Sequence, residues 1–182
     1  MSDRFEYKVR LKRNSLAGLA GARVLVARVR RTVSGLPGAT VFPYGSKGYL
    51  GMFAKQITDV MVVVRGGYQD LAILLLLERI PRTKEIELGP DMPGRRMLRQ
   101  YDRLERPKGN IHVVSEEYWK PSFERSITEL LRSDRDLRLS YSYAKRFIVG
   151  NLGDDPRGYG EAKAAFLSWA LSVREGGGRG SE

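Results

Sequence analysis

A single acid, Asp59, interrupts the apolar run ITDVMVVV at residues 57–64, and a Gly45-Ser46 pair stands shortly before it. A carboxylate in a buried strand is desolvated unless a cation or a hydrogen-bond donor meets it. A Gly-Ser turn can aim backbone N–H groups at phosphate, and a carboxylate on the adjoining strand can hold Mg²⁺ against that phosphate. The competing reading makes Asp59 half of a buried ion pair or the cap of a turn, and spacing alone favours it. His112 lies in NIHVV (110–114), where a lone strand histidine is more often structural than catalytic. Arg95 and Arg96 follow MPG; adjacent arginines point apart, so at most one need face a phosphate, and ordinary surface charge is the other reading. Lys145 and Lys163 fall on predicted helices, where a solvated lysine is the default. Asp154-Asp155 and Glu116-Glu117 sit where helix capping explains them. The chain contains no Walker-type loop, GxGxxG fingerprint, HExxH or nucleophile elbow.

The elements that must position these residues follow from pattern. Phe5–Lys12 alternates weakly, as an edge strand or extended lead-in does. Ser15 is a candidate N-cap for a helix over LAGLAGARVLVARVRRTV, with Leu16, Leu19, Val24 and Val26 on its apolar side. SGLPG breaks the chain; ATVFPY reads as a strand whose Pro43 argues for an edge position or the strand end. Residues 57–64 read as a strand apolar on both faces and hence central, in a sheet whose neighbouring strands include Val41–Tyr44 and Asn110–Val114. Tyr68–Ile80 is an apolar helix closed by Pro81, KEIEL a short strand, and GPDMPGRR a loop delivering two arginines. Helices are expected around 123–133, 137–149 and 159–173. Strands first and helices last indicate an α+β class, one domain over residues 1–173, with 174–182 (REGGGRGSE) as a flexible tail.

The chain of 182 residues is long enough to bury a core without staples. It holds no cysteine, which excludes disulfides and thiolate chemistry and is compatible with a reducing cytoplasm, the expected location. The charged start MSDRFEYKVRLKR shows no apolar leader, and the run LAILLLL (71–77) is too short to span a bilayer, so no membrane partner is expected. Lys and Arg number 32 against 21 Asp and Glu, a formal charge of +11. Such a field attracts polyanions: nucleotides, phosphorylated metabolites or nucleic acid.

In order along the chain, these residues resemble the GrpB family, of the nucleotidyltransferase-like fold related to DNA polymerase β. Gly45, Ser46, Gly51, Ala54, Lys55, Asp59 and Val62–Val64 match its first motif. Pro93, Gly94, Arg95 and Arg96 match a Pro-Gly-Arg-Arg loop, and Asn110-Ile111-His112-Val113 a His-Leu-His-Val strand. Leu131, Arg132, Tyr141 and Lys145 match a helical element, and Tyr159, Lys163 and Phe166 a final one. The chain departs from the pattern at four places, one of them the loop KGYLGM (47–52), which replaces a Gly-Leu-Pro-type loop. Met61 stands where a working nucleotidyltransferase carries a second acid, Pro43-Tyr44 replaces a histidine before Gly-Ser, and Asn110 replaces the first strand histidine.

The resemblance implies an α+β, nucleotidyltransferase-like mixed sheet with packed helices and one cleft shared by the matched residues. It implies roles too. Gly45 and Ser46 would hold phosphate; Asp59 would bind Mg²⁺; His112 would add a ligand or base. Lys55, Arg95, Arg96, Lys145 and Lys163 would neutralise phosphate charge. Two functions stay open. One is an enzyme transferring a nucleotidyl group from an NTP to a small acceptor. The other is a catalytically degenerate module that binds a nucleotide, a phosphorylated metabolite or RNA. Met61 favours the second, and retention of the other elements favours the first.

Overall fold

The structure, a computed structural model, describes residues 9–89, 92, 94–153 and 155–177. Half of the expected Phe5–Lys12 strand, residues 5–8, therefore lies outside the described residues, as do Pro93, Asp154 and 178–182. A short strand β1 (Lys12–Arg13) pairs antiparallel with β3 (Phe53–Ala54). Helix α1 (Leu16–Val33) starts where Ser15 accepts a hydrogen bond from the Gly18 N–H, the expected cap. Its buried face is Ala22, Leu25, Val26, Val29 and Val33, whereas Leu16 and Val24 are 71% and 60% exposed. The apolar stripe is thus set by the later turns, at the i, i+3, i+4, i+7 spacing of a helix laid on a sheet.

The main sheet runs in the order β2 (Thr40–Tyr44), β4 (Thr58–Val64), β7 (Pro107–Ser115), β6 (Arg95–Tyr101), β5 (Thr83–Ile86). β4 and β7 are parallel and the other pairs antiparallel, so the sheet is mixed. β4 lies inside the sheet with Val60, Met61, Val62 and Val64 fully buried, and the Pro43-bearing β2 is an edge strand, both as expected. Strand β6 corrects the sequence reading, which leaves Arg95 and Arg96 in a loop. The run RRMLRQY hides its alternation because both faces carry charge.

One face of the sheet packs on α1 and α2 (Gln69–Arg79) through Val60, Val62, Val64, Leu98, Ile111 and Val113. The opposite face carries Asp59, Met61, Val63, His112 and Val114. It meets α3 (Glu116–Trp119) through the cluster of Met61, Val63 and Val114 with Phe42, Tyr118 and Trp119. The chain ends in α4 (Phe123–Ser133), α5 (Arg135–Leu152) and α6 (Pro156–Gly177). These three close on Met52, Ile127, Leu131, Tyr141 and Leu167. Ser115 and Asp155 supply the helix-start hydrogen bonds expected near the acid pairs. α6 is helical through Gly177, beyond the point where a tail is expected. Among the described residues, no helix is long and apolar enough to cross a membrane.

Candidate phosphate-binding site

Strand register places Tyr44, Asp59, Asn110 and Arg99 in one row across β2, β4, β7 and β6. Residues paired in register share a face, so their side chains converge beneath the C-terminal helices. The Asn110 amide donates to Asp59 Oδ1 at 2.8 Å, and Arg99 Nε donates to Asn110 Oδ1 at 3.1 Å, which fixes the amide orientation. His112 Nε2 lies 3.7 Å from the same Asp59 oxygen, and the ring packs edge-on against Tyr44 with centroids 5.5 Å apart. Asp59 is one-third exposed. Burial pushes its carboxyl up, but His112, the Asn110 amide and the Lys163 cation outweigh that and hold its pKa below the ordinary carboxylate range.

The Gly45-Ser46 turn borders this carboxylate. Gly45 has φ +71°, and a Cβ there would stand 3.6 Å from Asp59 Oδ2. Ser46 opens a 3₁₀ turn (Ser46–Gly48), and its hydroxyl accepts a hydrogen bond from Lys145. Lys145 is 2% exposed and also donates to the Phe53 carbonyl, with its ammonium 4.7 Å from the Tyr141 ring centroid. Burial, reinforced by Lys163, pushes its pKa down to about 7. Lys163 is lowered by burial while Asp59 opposes the shift. Lys55, 5.1 Å from the Tyr159 ring, is lowered by burial and by Lys163, again opposed by Asp59. Several ammonium groups thus lie close together beside one partly exposed carboxylate, and their protons are loosened by burial first and by mutual repulsion second. An arriving phosphate would relieve all of them at once.

Arg95 faces the same side. Its guanidinium lies 5.7 Å from the Tyr44 ring and 3.3 Å from Glu124 Oε1, with the side chain 5% exposed. Among the described residues, Arg95 Nε and His112 Nδ1 are buried without a hydrogen-bond partner. Arg96 is not brought to the site. It pairs in register with Val113, on the α1/α2 face, and its guanidinium forks onto both Glu85 oxygens at 2.6 and 2.8 Å while also bonding Asp70. The period of two explains it: adjacent strand residues point to opposite faces. Arg96→Gln is accordingly expected to leave phosphate-ligand affinity unchanged. The loss of its mostly exposed ion pairs should lower stability by only about 1 kcal/mol in a denaturant titration.

Three members were not singled out from sequence. Asn110 appears there as a lost histidine, yet it is the direct donor to Asp59. Arg99 would follow from Arg95 by alternation once β6 is a strand. Lys47 has no local signal; burial lowers its pKa, Asp59 raises it, and its ammonium donates to the Gln56 carbonyl at 3.1 Å. A groove of about 580 Å³ lined by Leu130, Leu137, Trp169 and Val173 lies away from this cluster. In its lining, Ser133 bonds the Leu130 carbonyl at the end of α4 and Asp134 caps α5.

The GrpB protein family matches residues 20–172 of the chain. The chain belongs to the GrpB family. Conserved protein GrpB from Enterococcus faecalis superposes with a TM-score of 0.64 at 17% identity, covering 89% of this chain and 99% of that one. The Cid1 poly(U) polymerase with MgGTP bound gives a TM-score of 0.50 at 17% identity, over 74% of this chain and 42% of that one. The GLD-2/RNP-8 complex gives 0.49 at 13% identity, over 80% and 63%. No functionally curated protein matches the chain. This GrpB-family chain therefore has a nucleotidyltransferase-like fold, and likeness at these identities speaks to the fold alone.

Proposed function

We propose that the cleft binds the phosphates of a nucleotide or a similar phosphorylated ligand, with Ser46, Lys55, Lys145 and Lys163 on the phosphates and His112 and Arg95 behind them. The observation that supports this most directly is the excess of cations converging on one carboxylate, with Lys145 buried and hydrogen-bonded to the Gly45-Ser46 turn. A buried ammonium with its proton loosened is an anion receptor that becomes fully charged when the anion arrives.

A resident Mg²⁺ does not fit the donor set. The position two residues beyond Asp59 is Met61, fully buried, and Asp59 Oδ1 already receives Asn110. An ion arriving on the ligand's own phosphates would find one protein oxygen, Asp59 Oδ2, and would supply charge neutralisation there. Nucleotidyl transfer is the second reading. It is favoured by Asp59 being held ionised and one-third exposed beside the Gly45-Ser46 turn.

Titration of wild type and Asp59→Asn with NTPs, with and without Mg²⁺, separates the two. Binding without metal is expected in the wild type. It should tighten by about tenfold in Asp59→Asn, because a like charge leaves the phosphate's surroundings. Transfer through Asp59 instead requires that the variant lose Mg²⁺-dependent binding. Absence of stabilisation by any nucleoside phosphate overturns the proposal.

A further inference from the structure

The site face of the sheet continues beyond the cleft to the opposite edge. Asp59 pairs in register with Asn110, Asn110 with Arg99, and Arg99 with Lys84, one residue from each of four strands. Hydrogen bonds join the first three members of the row. Lys84 Nζ lies 5.5 Å from the ring centroid of Tyr101, so the two share this side. Lys108 is exposed beside this row, at the irregularity where β7 pairs Gly109 with Gln100 and Pro107 with Tyr101. Lys84 and Lys108 are exposed, and Arg99 and Tyr101 half-buried. Strands are about 4.8 Å apart, so Asp59 to Lys84 spans roughly 14 Å. That equals about four stacked nucleotides at ~3.4 Å each.

Acids on this strip are few and already matched. Glu105 lies 3.7 Å from Lys84, both side chains being largely exposed, and Asp102 is turned to Arg106 at 2.8 Å. An exposed pair of this kind exchanges readily for a phosphate. A cationic row interleaved with an aromatic ring is how proteins hold single strands, with cations on phosphates and bases stacked on the ring. The chain's charge of +11 supplies a long-range field of the same sign.

We propose that the strip of Arg99, Tyr101, Lys84 and Lys108 docks a single-stranded nucleic acid whose terminal nucleotide occupies the cleft. The proposal rests on the cleft being a nucleoside-phosphate site and names its ligand class, the end of a polynucleotide in place of a free small molecule. A mononucleotide reaches none of Lys84, Tyr101 or Lys108, so these positions separate the two statements.

The test is fluorescence anisotropy with a labelled oligouridylate across a salt series, beside thermal shifts with UMP and UTP. The Lys84→Gln/Lys108→Gln double variant is expected to weaken oligonucleotide binding by about tenfold or more. It should lower the slope of log K against log salt by about 1.4, at ~0.7 per phosphate. Tyr101→Ala should weaken binding by about tenfold through lost stacking. Mononucleotide shifts should not change in any of them. Oligonucleotide binding indifferent to these variants overturns the proposal. So does failure to bind the oligonucleotide while mononucleotides bind, or equal competition by polyglutamate of matched charge. If neither oligonucleotide nor mononucleotide binds, the nucleoside-phosphate reading itself fails.

Discussion

Lys145→Met is expected to weaken nucleoside-phosphate binding by about 10- to 100-fold while leaving the fold at least as stable as the wild type near and below neutral pH. The affinity loss follows from removing a charge-assisted donor from a desolvated site, an interaction worth ~1.5–3 kcal/mol. The stability gain follows from the same burial. The Lys145 pKa falls from 10.5 to about 7 in the folded chain, so the unfolded chain holds that proton more tightly. Its destabilising contribution is complete below about pH 7 and fades as pH rises towards 10.5. Wild-type stability should therefore rise between those pH values, and the Lys145→Met variant should lose most of that rise. Lys55 and Lys163, also lowered by burial, contribute a residual slope of the same sign. Thermal denaturation from pH 6 to 10, beside calorimetric titration with an NTP, measures both effects. A variant that is less stable than wild type at pH 6, or that binds as tightly, contradicts the assigned role.

Met61→Asp should be the most damaging single substitution near the site, although it restores the acid spacing of a two-carboxylate strand. Met61 is fully buried and packs with Val63 and Val114 under Phe42, Tyr118 and Trp119. A carboxylate there enters an apolar cluster and is desolvated. An unpaired buried charge of this kind costs about 3–5 kcal/mol. At ~2–4 °C per kcal/mol for a chain of this size, Tm should fall by roughly 10 °C or more, or the protein should fail to accumulate. Met61→Leu, which keeps the volume, should cost less than about 1.5 kcal/mol. A melting temperature for Met61→Asp within about 3 °C of wild type would show that the position opens to the cleft. The absent second acid would then be a matter of chemistry alone.

The two variants point to a common cause. On β4, Asp59 and Met61 project from the same face two residues apart, yet one meets water and cations while the other meets aromatic rings. The boundary falls where α3 ends its cover of the sheet and the Gly45-Ser46 turn begins. Polarity along a strand is thus decided by what is laid across it.

The sequence alone determined what local pattern and residue type dictate. The Ser15 cap, the apolar strand around Asp59, the edge position of Pro43 and the three C-terminal helices all follow from periodicity and backbone chemistry acting within a few residues. The ordered motifs from Gly45 to Phe166 also made the family and fold legible. Contacts across distant segments were decided only by tertiary structure. Lys145, a solvated lysine by local reading, is buried because Ser46 and the Phe53 carbonyl, far away in sequence, close on its ammonium. Arg95 and Arg96 were indistinguishable as neighbours until β6 proved to be a strand, which sends one under Tyr44 and the other to Glu85 and Asp70. On α1, Leu16 and Val24 fit the apolar pattern yet stand exposed, because a helix has a core face only where a sheet lies against it. Side-chain identity fixes which interactions are possible; burial and register select among them, and both are properties of the assembled fold.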